Sequence, residues 1–309
     1  MRKFNIDFNK SFKKVIIAYA ALFLVGIIVA FIFGVNLDIN FKGGSKVSYS
    51  YSGKITEKDF EKAVDKVLDS KFSVSQSTAL AGNTKTIEIT LVGKNALSAE
   101  QLDKLTESLS KTYKDNKLTL YNSNSVSPTM AGTFFLKSLV AVIITALLVI
   151  VYIGFRFRKI GGVSAAVTAL VALILDVLVT FFVCVIFRLQ IDANYIAVVL
   201  TMLGYSLNDT IVIYDRVREN KAISSDMEIG DVVNLSINQS LVRNIVTTVT
   251  TFLAVATIIV VSELFGLQSL RTFAIPMAFG LVSGGISSLC ISGPLWVIWK
   301  RKKASKKAK

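Results

Sequence analysis

The sequence of 309 residues contains no histidine, the side chain used most often for acid–base chemistry and for binding zinc. Any proton transfer must therefore use carboxylates, lysines or water. The only two cysteines, Cys184 and Cys290, lie in apolar runs, so we interpret them as small buried side chains rather than as a disulfide or a metal pair. No phosphate-binding motif with its lysine and hydroxyl residue is present, which disfavours direct use of ATP, and no cofactor is expected.

Acidic residues are few: 21 aspartates and glutamates stand against 35 lysines and arginines, giving a net charge of +14. The basic residues concentrate at 2–14, 156–159 and 300–309, next to apolar segments, which is the pattern of the positive-inside rule and not that of a nucleic-acid-binding surface. The chain is 52% hydrophobic with a mean hydropathy of +0.58. This composition indicates an α-helical protein that crosses the membrane several times.

Six apolar segments are predicted to cross the bilayer: 15–33, 134–155, 163–187, 191–214, 241–261 and 272–299. The first has the layout of a signal peptide but lacks an A-x-A cleavage site, so we interpret it as a retained anchor. The ends, 1–14 and 300–309, are basic, which predicts that both termini lie in the cytosol. Residues 215–240 then form a cytosolic loop and the start of the fifth helix, and 36–128 lie outside.

The outer segment 36–128 is predicted to form a small α/β domain. Its pattern gives a strand at 47–51, a helix capped by Thr56, strands at 73–80 and 87–91 joined by a turn at Gly82-Asn83, a helix with a capping box at 98–101, and a strand at 118–120. The order β-α-β-β-α-β predicts a ferredoxin-like sandwich of two helices on an antiparallel sheet. No residue in it looks catalytic, which favours a binding or gripping role.

The stretch 201–220 carries a carboxylate inside an apolar run. At helical spacing Thr201, Gly204, Tyr205, Asn208 and Asp209 share one face. A charged side chain at the centre of a membrane helix costs roughly 2.5–3.5 kcal/mol on insertion scales. This face is therefore expected to contact protein or water and not lipid.

The run GYSLNDTIVIYDRVREN, from Gly204 to Asn220, resembles the signature of the fourth transmembrane helix in the SecF family. That family forms the smaller half of the SecDF complex of the protein-export translocon and belongs to the resistance-nodulation-division (RND) superfamily. The run NLSINQSLVR at 234–243, and GISS at 285–288 followed by Pro294, are also similar to the family. The resemblance covers nearly the whole chain and is weakest in the outer segment.

Two places depart from the family pattern. In LDINFKGGS, at 37–45, Asp38 replaces a glycine and Asn40 replaces an aspartate of the family motif. In the third span the family usually has His-Asp, whereas this chain has Leu175-Asp176. A role for a histidine at that position is therefore excluded.

The resemblance implies which residues carry function, because the family residues that match Asp209 and Arg243 are implicated in proton passage. The alternative is that these two are a structural ion pair between helices. Asn208 either orients Asp209 by a hydrogen bond or packs. Asp176 is either a further member of the relay or a structural acid bonded to Thr180 or to a neighbouring helix.

Glycines are predicted to allow close helix packing in two spans. Gly280 and Gly284 form a small-xxx-small pattern, with Gly285 directly after it, and Gly204 lies in the fourth span. Where a glycine faces another helix, the two backbones can approach closely. No metal site is predicted.

The resemblance implies a non-enzymatic accessory subunit that uses the proton-motive force in late steps of protein export across the bacterial cytoplasmic membrane. Its implied partners are SecD, the SecYEG channel, YajC- or YidC-type accessory subunits, the translocating polypeptide and the lipid bilayer, with no nucleic acid. The alternative is an ion-driven RND-type exporter of small molecules. One six-span half with a single small outer domain disfavours that alternative.

Overall fold

The computed structural model describes residues 6–68, 70–78, 85–93, 97–224 and 226–307, with only the backbone described at 78 and 307. In chain order the helices are α1 (Phe8–Phe33), α2 (Ile39–Lys42), α3 (Glu57–Asp65), α4 (Ala99–Thr112), α5 (Pro128–Arg156), α6 (Gly162–Ile186), α7 (Ala193–Ile223), α8 (Ile229–Phe265), α9 (Gln268–Ser287) and α10 (Gly293–Lys307). A π-helical segment, Ser288–Ser292, joins α9 to α10.

Within the described residues, six helical units are long and apolar enough to cross a membrane: α1, α5, α6, α7, α8 and the combined α9–α10. This confirms the predicted number of spans. Several helices extend beyond the predicted limits. α1 begins at Phe8, α7 continues to Ile223 and α8 begins at Ile229, so most of 215–240, which was predicted as a loop and the start of the fifth helix, is helical. Hydropathy detects only the apolar part of a helix, whereas the helix itself continues through polar residues into water.

The outer segment contains a four-stranded antiparallel sheet. Its strands are β1 (Gly44–Tyr51), β2 (Phe72–Thr78), β3 (Lys85–Val92) and β4 (Thr119–Val126), in the spatial order β2-β3-β1-β4. One face of the sheet packs on α3 and α4. Tyr49 from β1, Phe60 from α3 and Leu105 from α4 are fully buried between the sheet and the helices. The predicted turn at 82–83 and strand residues 79–80 lie outside the described residues.

The predicted capping box at the start of α4 is present. The Ser98 hydroxyl accepts a hydrogen bond from the Gln101 amide at 3.2 Å, and the Gln101 side-chain oxygen accepts one from the Ser98 amide at 3.0 Å. These two bonds satisfy backbone donors that have no partner inside the helix. The helix is thereby fixed at its start, with Leu105 and Leu109 directed at the sheet.

The paired glycines at the start of the domain close a one-turn helix, α2, that the sequence did not predict. Asp38 caps α2, and its carboxylate also accepts a 3.1 Å hydrogen bond from the Gln190 side chain. Gly44 has a φ of +133°, and a Cβ there would lie 1.9 Å from the carbonyl oxygen of Leu91. Only glycine fits this point, where β1 passes close to β3.

Hydrogen bonds attach the outer domain to the outer ends of the helices. On one side the Asp38 amide donates to the Ile191 carbonyl at 3.0 Å, and the Ile191 amide donates to the Asn36 carbonyl at 2.8 Å. On the other side the Ser77 hydroxyl donates to the Gly266 carbonyl at 3.0 Å. The domain is thus fixed against the α6–α7 connection and against the α8–α9 turn.

The helices pack around α6, α7 and α9. At the cytosolic end predicted from the charge pattern, Tyr214 is fully buried against Trp296, with ring centroids 6.2 Å apart. The hydroxyl groups of Tyr214 and Thr168 lie 2.8 Å apart, and the Trp296 indole donates to Ser164 at 2.9 Å. These contacts place α10 against α6 and α7.

Candidate functional site

Asp176 lies in the middle of α6 and is 1% exposed. Three serine hydroxyls donate hydrogen bonds to its carboxylate: Ser206 at 2.6 Å and Ser287 at 2.8 Å to Oδ2, and Ser283 at 2.6 Å to Oδ1. Such bonds to an ionised acceptor are short and strong. They supply the buried carboxylate with the partners that a group removed from water requires.

The Asp176 cluster joins four helices. Ser206 belongs to α7, and Ser283 and Ser287 belong to α9. The hydroxyl of Tyr19, on α1, lies 2.8 Å from the Ser283 hydroxyl and donates to the Ser283 carbonyl at 3.2 Å. The carboxylate therefore fixes the relative positions of α1, α6, α7 and α9.

Thr180, which was predicted as one partner of Asp176, bonds elsewhere. Its hydroxyl donates to the Val177 carbonyl at 2.7 Å and lies 3.4 Å from the hydroxyl of Tyr195. A threonine inside a helix readily bonds back to a carbonyl of the preceding turn, and this bond competes with a partner on the same face. Two bonding partners were considered for Asp176 as a structural acid, namely Thr180 and a neighbouring helix. The structure contains bonds to neighbouring helices.

Asp209 lies on α7 and faces α8, with 4% of its surface exposed. Its Oδ2 atom is buried and accepts no hydrogen bond from the part of the chain that the structure describes. Thr247 of α8 lies beside the carboxylate, and Arg243 is near enough to act on it electrostatically. No ion pair of 4.0 Å or less joins Asp209 to Arg243 among the described residues, and Arg243 is exposed.

Asn208 does not orient Asp209 by a hydrogen bond. Its side chain is exposed, and it forms no such bond within the described ranges. Successive residues on a helix point in directions about 100° apart, so Asn208 leaves the packed side of α7 while Asp209 remains on it. Three positions earlier on the same helix, Ser206 bonds to Asp176 and so holds this part of α7 against α6.

Gly280 and Gly284 lie where α9 crosses its neighbours. A Cβ at Gly280 would be 2.7 Å from Cγ2 of Thr180, and a Cβ at Gly284 would be 3.1 Å from Cβ of Ser206. Both distances are shorter than ordinary van der Waals contact. The two glycines therefore allow the close approach of α9 that brings Ser283 and Ser287 to Asp176.

Gly285 and Gly204 differ in their surroundings. A Cβ at Gly285 would be 2.8 Å from the hydroxyl oxygen of Thr248 on α8. Gly204 is exposed, and a Cβ there would meet nothing within 4 Å in the described chain. Among the described residues the prediction that Gly204 packs against a helix is therefore not met, because none of the described helices covers that part of α7.

The serines around Asp176 were not predicted. The spacing of Ser283 and Ser287 by four residues, on one face of a glycine-rich helix, was a signal that could have identified them. The π-helical segment that follows was also missed. Two hydrogen bonds from other helices reach it: Asn244 donates to the Ser288 hydroxyl at 3.1 Å, and the Tyr214 hydroxyl donates to the backbone carbonyl of Ser292 at 3.3 Å. No group of histidine, cysteine, aspartate or glutamate residues suited to a metal occurs in the described residues.

Comparison with known proteins identifies the family. Residues 104–302 match the family described as protein export membrane protein SecD/SecF, C-terminal. The protein translocase subunit SecF of Petrotoga mobilis is 33% identical and covers 98% of this chain and 99% of its own length. The protein translocase subunit SecDF of Bacillus subtilis is also 33% identical, over 97% of this chain, which corresponds to 39% of that longer protein.

Solved structures agree with these relatives. A crystal structure of SecDF, a translocon-associated membrane protein from Thermus thermophilus, superposes with a TM-score of 0.79 at 25% identity, over 96% of this chain and 39% of that one. A crystal structure of SecDF in a super-membrane-facing form gives a TM-score of 0.67 at 25% identity, over 100% of this chain and 40% of that one.

The relatives are named as subunits of a protein translocase, which indicates an accessory role in protein export. The SecDF proteins carry the matching region within a longer chain, which indicates that a SecD portion is its partner. Together with six apolar helices, these matches make the chain a multi-pass membrane protein. It belongs to the SecD/SecF family of protein export membrane proteins, and relatives that it matches over nearly their whole length are SecF subunits.

Proposed function

We propose that this chain couples the proton-motive force to late steps of protein export across the bacterial cytoplasmic membrane, in a complex with a SecD-type subunit. The observation that carries the proposal is the carboxylate of Asp209. It is buried within a membrane helix, its Oδ2 accepts no hydrogen bond in the described chain, and its nearby cation is not in contact with it. A buried carboxylate with one oxygen that accepts no hydrogen bond is suited to binding and releasing a proton.

Arg243 serves as a fixed positive charge, because a guanidinium does not lose its proton in a protein. When α7 and α8 approach each other, the positive charge of Arg243 comes closer to Asp209 and stabilises its carboxylate in the ionised form. When they separate, the proton-bound form is favoured. Each unit charge that crosses the full field contributes about 2.3 kcal/mol per 100 mV, which is enough to bias the equilibrium between the two arrangements.

In this proposal Asp176 holds the bundle together while Asp209 titrates. Both oxygens of Asp176 are occupied by serine donors, which supports the structural alternative for this residue over membership of the relay. Because Ser206 and Asp209 lie on the same helix, the Asp176 cluster sets the rotation of α7. That rotation directs Asp209 towards α8.

The outer domain is, in this proposal, a ferredoxin-like unit on the extracytoplasmic side. The element order β1-α3-β2-β3-α4-β4 and the sheet order β2-β3-β1-β4 support it. The positive-inside pattern supports cytosolic termini. The further partners would be the SecYEG channel, the exported polypeptide and YajC- or YidC-type subunits, and the chain would perform no catalysis of its own.

The test is export from membrane vesicles with and without an imposed proton gradient. We expect Asp209→Asn to assemble normally with the SecD-type partner but to lose the stimulation by the gradient. Arg243→Lys should also be impaired, because lysine lacks the planar guanidinium group and its fixed set of donors. Asp231→Asn, which removes an exposed carboxylate on the polar first turn of α8, is the matched control. A stable Asp209→Asn protein with full gradient-dependent export would refute the proposal.

A further inference from the structure

A cleft of about 720 Å³ separates the outer domain from the ends of the membrane helices. We call it the outer cleft. Its roof is the face of the sheet opposite α3 and α4, with Ser48, Ser75 and Glu88 among its side chains, and its floor includes Gln190, Gln268 and Thr272 from the α6–α7 and α8–α9 connections. The polar face of the sheet is therefore turned towards the membrane helices and not towards open solvent.

The charged side chains in the outer cleft already have partners. The five that line it are Lys46, Glu88, Arg188, Asp192 and Arg271. Lys46 and Glu88 form an ion pair at 2.7 Å, and Arg271 pairs at 3.0 Å with Glu263 outside the cleft. Arg188 donates to the Phe33 carbonyl at 2.9 Å, and Asp192 accepts from the Thr272 hydroxyl at 3.1 Å.

The cleft therefore offers a ligand mainly neutral hydroxyl and amide groups. Such groups can hydrogen-bond to peptide N–H and C=O without selecting the charge of the ligand.

The roof has the repeat of an extended chain. Ser73 and Ser75 on β2, and Thr86, Glu88 and Thr90 on β3, line the cleft at alternate positions. Side chains two residues apart on a strand lie about 6.8 Å from each other, and an extended ligand chain repeats at the same distance. A polypeptide lying along β2 could therefore meet the Ser73 and Ser75 hydroxyls at every second residue, with Glu88 beside them. Thr86 and Thr90 are 6% and 4% exposed and form the buried back of the roof.

Two aromatic side chains at the cleft add apolar contact area. Tyr121 of β4 is 53% exposed and Phe187, at the end of α6, is 52% exposed. Exposed aromatic groups beside hydrogen-bonding groups are typical of surfaces that bind other proteins.

From these features we propose that the outer cleft binds an extended segment of the polypeptide being exported. The inference rests on the proposed function and adds the place where the chain contacts its substrate. Peptide hydrogen bonds to the roof and floor would hold the segment, and Tyr121 and Phe187 would contact its side chains.

The floor of the cleft is connected to the membrane site through one helix. Asp192 caps α7, and the same helix carries Asp209 deeper in the membrane. The roof is fixed to the helices at Ser77 and Gly266, and its strands β1 and β4 lead through short connections to α1 and α5. A shift of α7 relative to α8 would therefore change the separation of floor and roof and so alter the grip on a bound segment.

The test places photoreactive benzoylphenylalanine at Ser75 or at Gln268 in the full chain, assembled with its SecD-type partner and the translocon in membrane vesicles. A secretory polypeptide is then halted partway through transfer. We expect light to link this polypeptide to both positions. The matched control is Lys104, exposed on α4 on the other side of the sheet, where no polypeptide adduct is expected. Equal adducts at Lys104, or adducts of the cleft positions with the partner subunit alone, would overturn the inference.

A second variant fills the cleft. Ser48→Trp should reduce export while leaving assembly intact, whereas Lys104→Trp should leave export unchanged; equal export by the two variants would contradict the inference.

Asp209→Asn in the same vesicles separates the two proposals. If only the cleft assignment is wrong, Asp209→Asn loses gradient dependence and Ser75 gives no polypeptide adduct. If only the coupling proposal is wrong, the adduct forms at Ser75 and Asp209→Asn exports normally.

Discussion

The Ser206 hydroxyl donates a 2.6 Å hydrogen bond to the Asp176 carboxylate, which ties α7 to α6 deep within the bundle. Asp209 lies three residues further along α7, where Oδ2 accepts no hydrogen bond in the described chain. Two buried carboxylates on adjacent helices thus have opposite surroundings. One is saturated with donors and holds helices in place, and the other keeps bonding capacity free.

Removing Ser283 should cost more stability than removing Ser287. Ser283 bonds to both Asp176 and Tyr19, whereas Ser287 bonds to Asp176 and, weakly, to a carbonyl of its own helix. Hydrogen bonds between membrane helices contribute about 0.6 kcal/mol on average and up to about 1.7 kcal/mol. We expect Ser283→Ala to lower the free energy of unfolding by about 1–2 kcal/mol, measured by thermal unfolding in detergent. Tyr19→Phe should reproduce part of the loss, and equal effects of the two serine variants would contradict the assignment.

Gly44→Ala should disrupt the outer domain much more than Gly93→Ala. Both glycines have a similar positive φ, +133° and +138°, but a Cβ at Gly44 would overlap the Leu91 carbonyl whereas one at Gly93 meets nothing within 4 Å. The shared backbone strain costs about 1–3 kcal/mol, and Gly44→Ala must in addition displace β3. The measurement is the rate of tryptic cleavage within the outer domain of the solubilised full chain. Similar cleavage rates would show that the close approach of β1 and β3 is not needed.

The outer domain should lose stability at strongly alkaline pH. Burial raises the pKa of Tyr49 above its ordinary value of 10.0, opposed by a hydrogen bond with Thr106. In the unfolded chain Tyr49 loses its proton near pH 10, while in the folded domain it keeps it to higher pH. The folded state therefore binds more protons, and stability falls as pH rises through this range. Digestion by a protease active at alkaline pH should accelerate above pH 10 in the parent protein. The acceleration should be smaller in Tyr49→Phe, which has no hydroxyl to titrate.

Cysteine labelling in intact cells should establish the orientation. In a variant without Cys184 and Cys290, single cysteines at Ser52 or Ser98 should react with a membrane-impermeant thiol reagent, because six spans with basic ends place the outer domain outside. A cysteine at Ser305 should react only after the membrane is permeabilised. All three positions are exposed in the structure, so failure to react would reflect location rather than burial. Labelling of Ser305 from outside would invert the proposed orientation.

The sequence predicted the elements whose signal is local. Six apolar runs predicted six spans, and alternating apolar residues such as Val47 and Tyr49 predicted the strands of the outer domain. The capping box at Ser98 was predicted because both partners lie within four residues. Such features depend on neighbours along the chain.

Features that depend on contacts between distant helices were not predicted. Ser283 is 107 positions from Asp176, and Tyr19 is 264 positions from Ser283. Serines are common in membrane helices, so even the four-residue spacing of Ser283 and Ser287 did not indicate that Asp176 and Tyr19 are their partners. Asn208 was predicted to orient or pack beside Asp209 because the two are adjacent, but rotation along the helix directs them to different sides.

The π-helical segment Ser288–Ser292 changes the rotational phase of the last membrane helix. Ser287 before it and Trp296 after it both bond to α6, at Asp176 and at Ser164. In an uninterrupted α-helix, nine residues rotate the side chain by about 900°, which would direct these two residues to opposite sides. A π-type turn accommodates about one extra residue, so the remaining offset is only about 80°. Deleting one residue here would restore a regular helix in which the remaining eight steps from Ser287 to Trp296 give the same offset of about 80°. An uninterrupted α-helix of the present length would instead direct Trp296 away from α6, so the π-type turn is what lets both residues reach that helix.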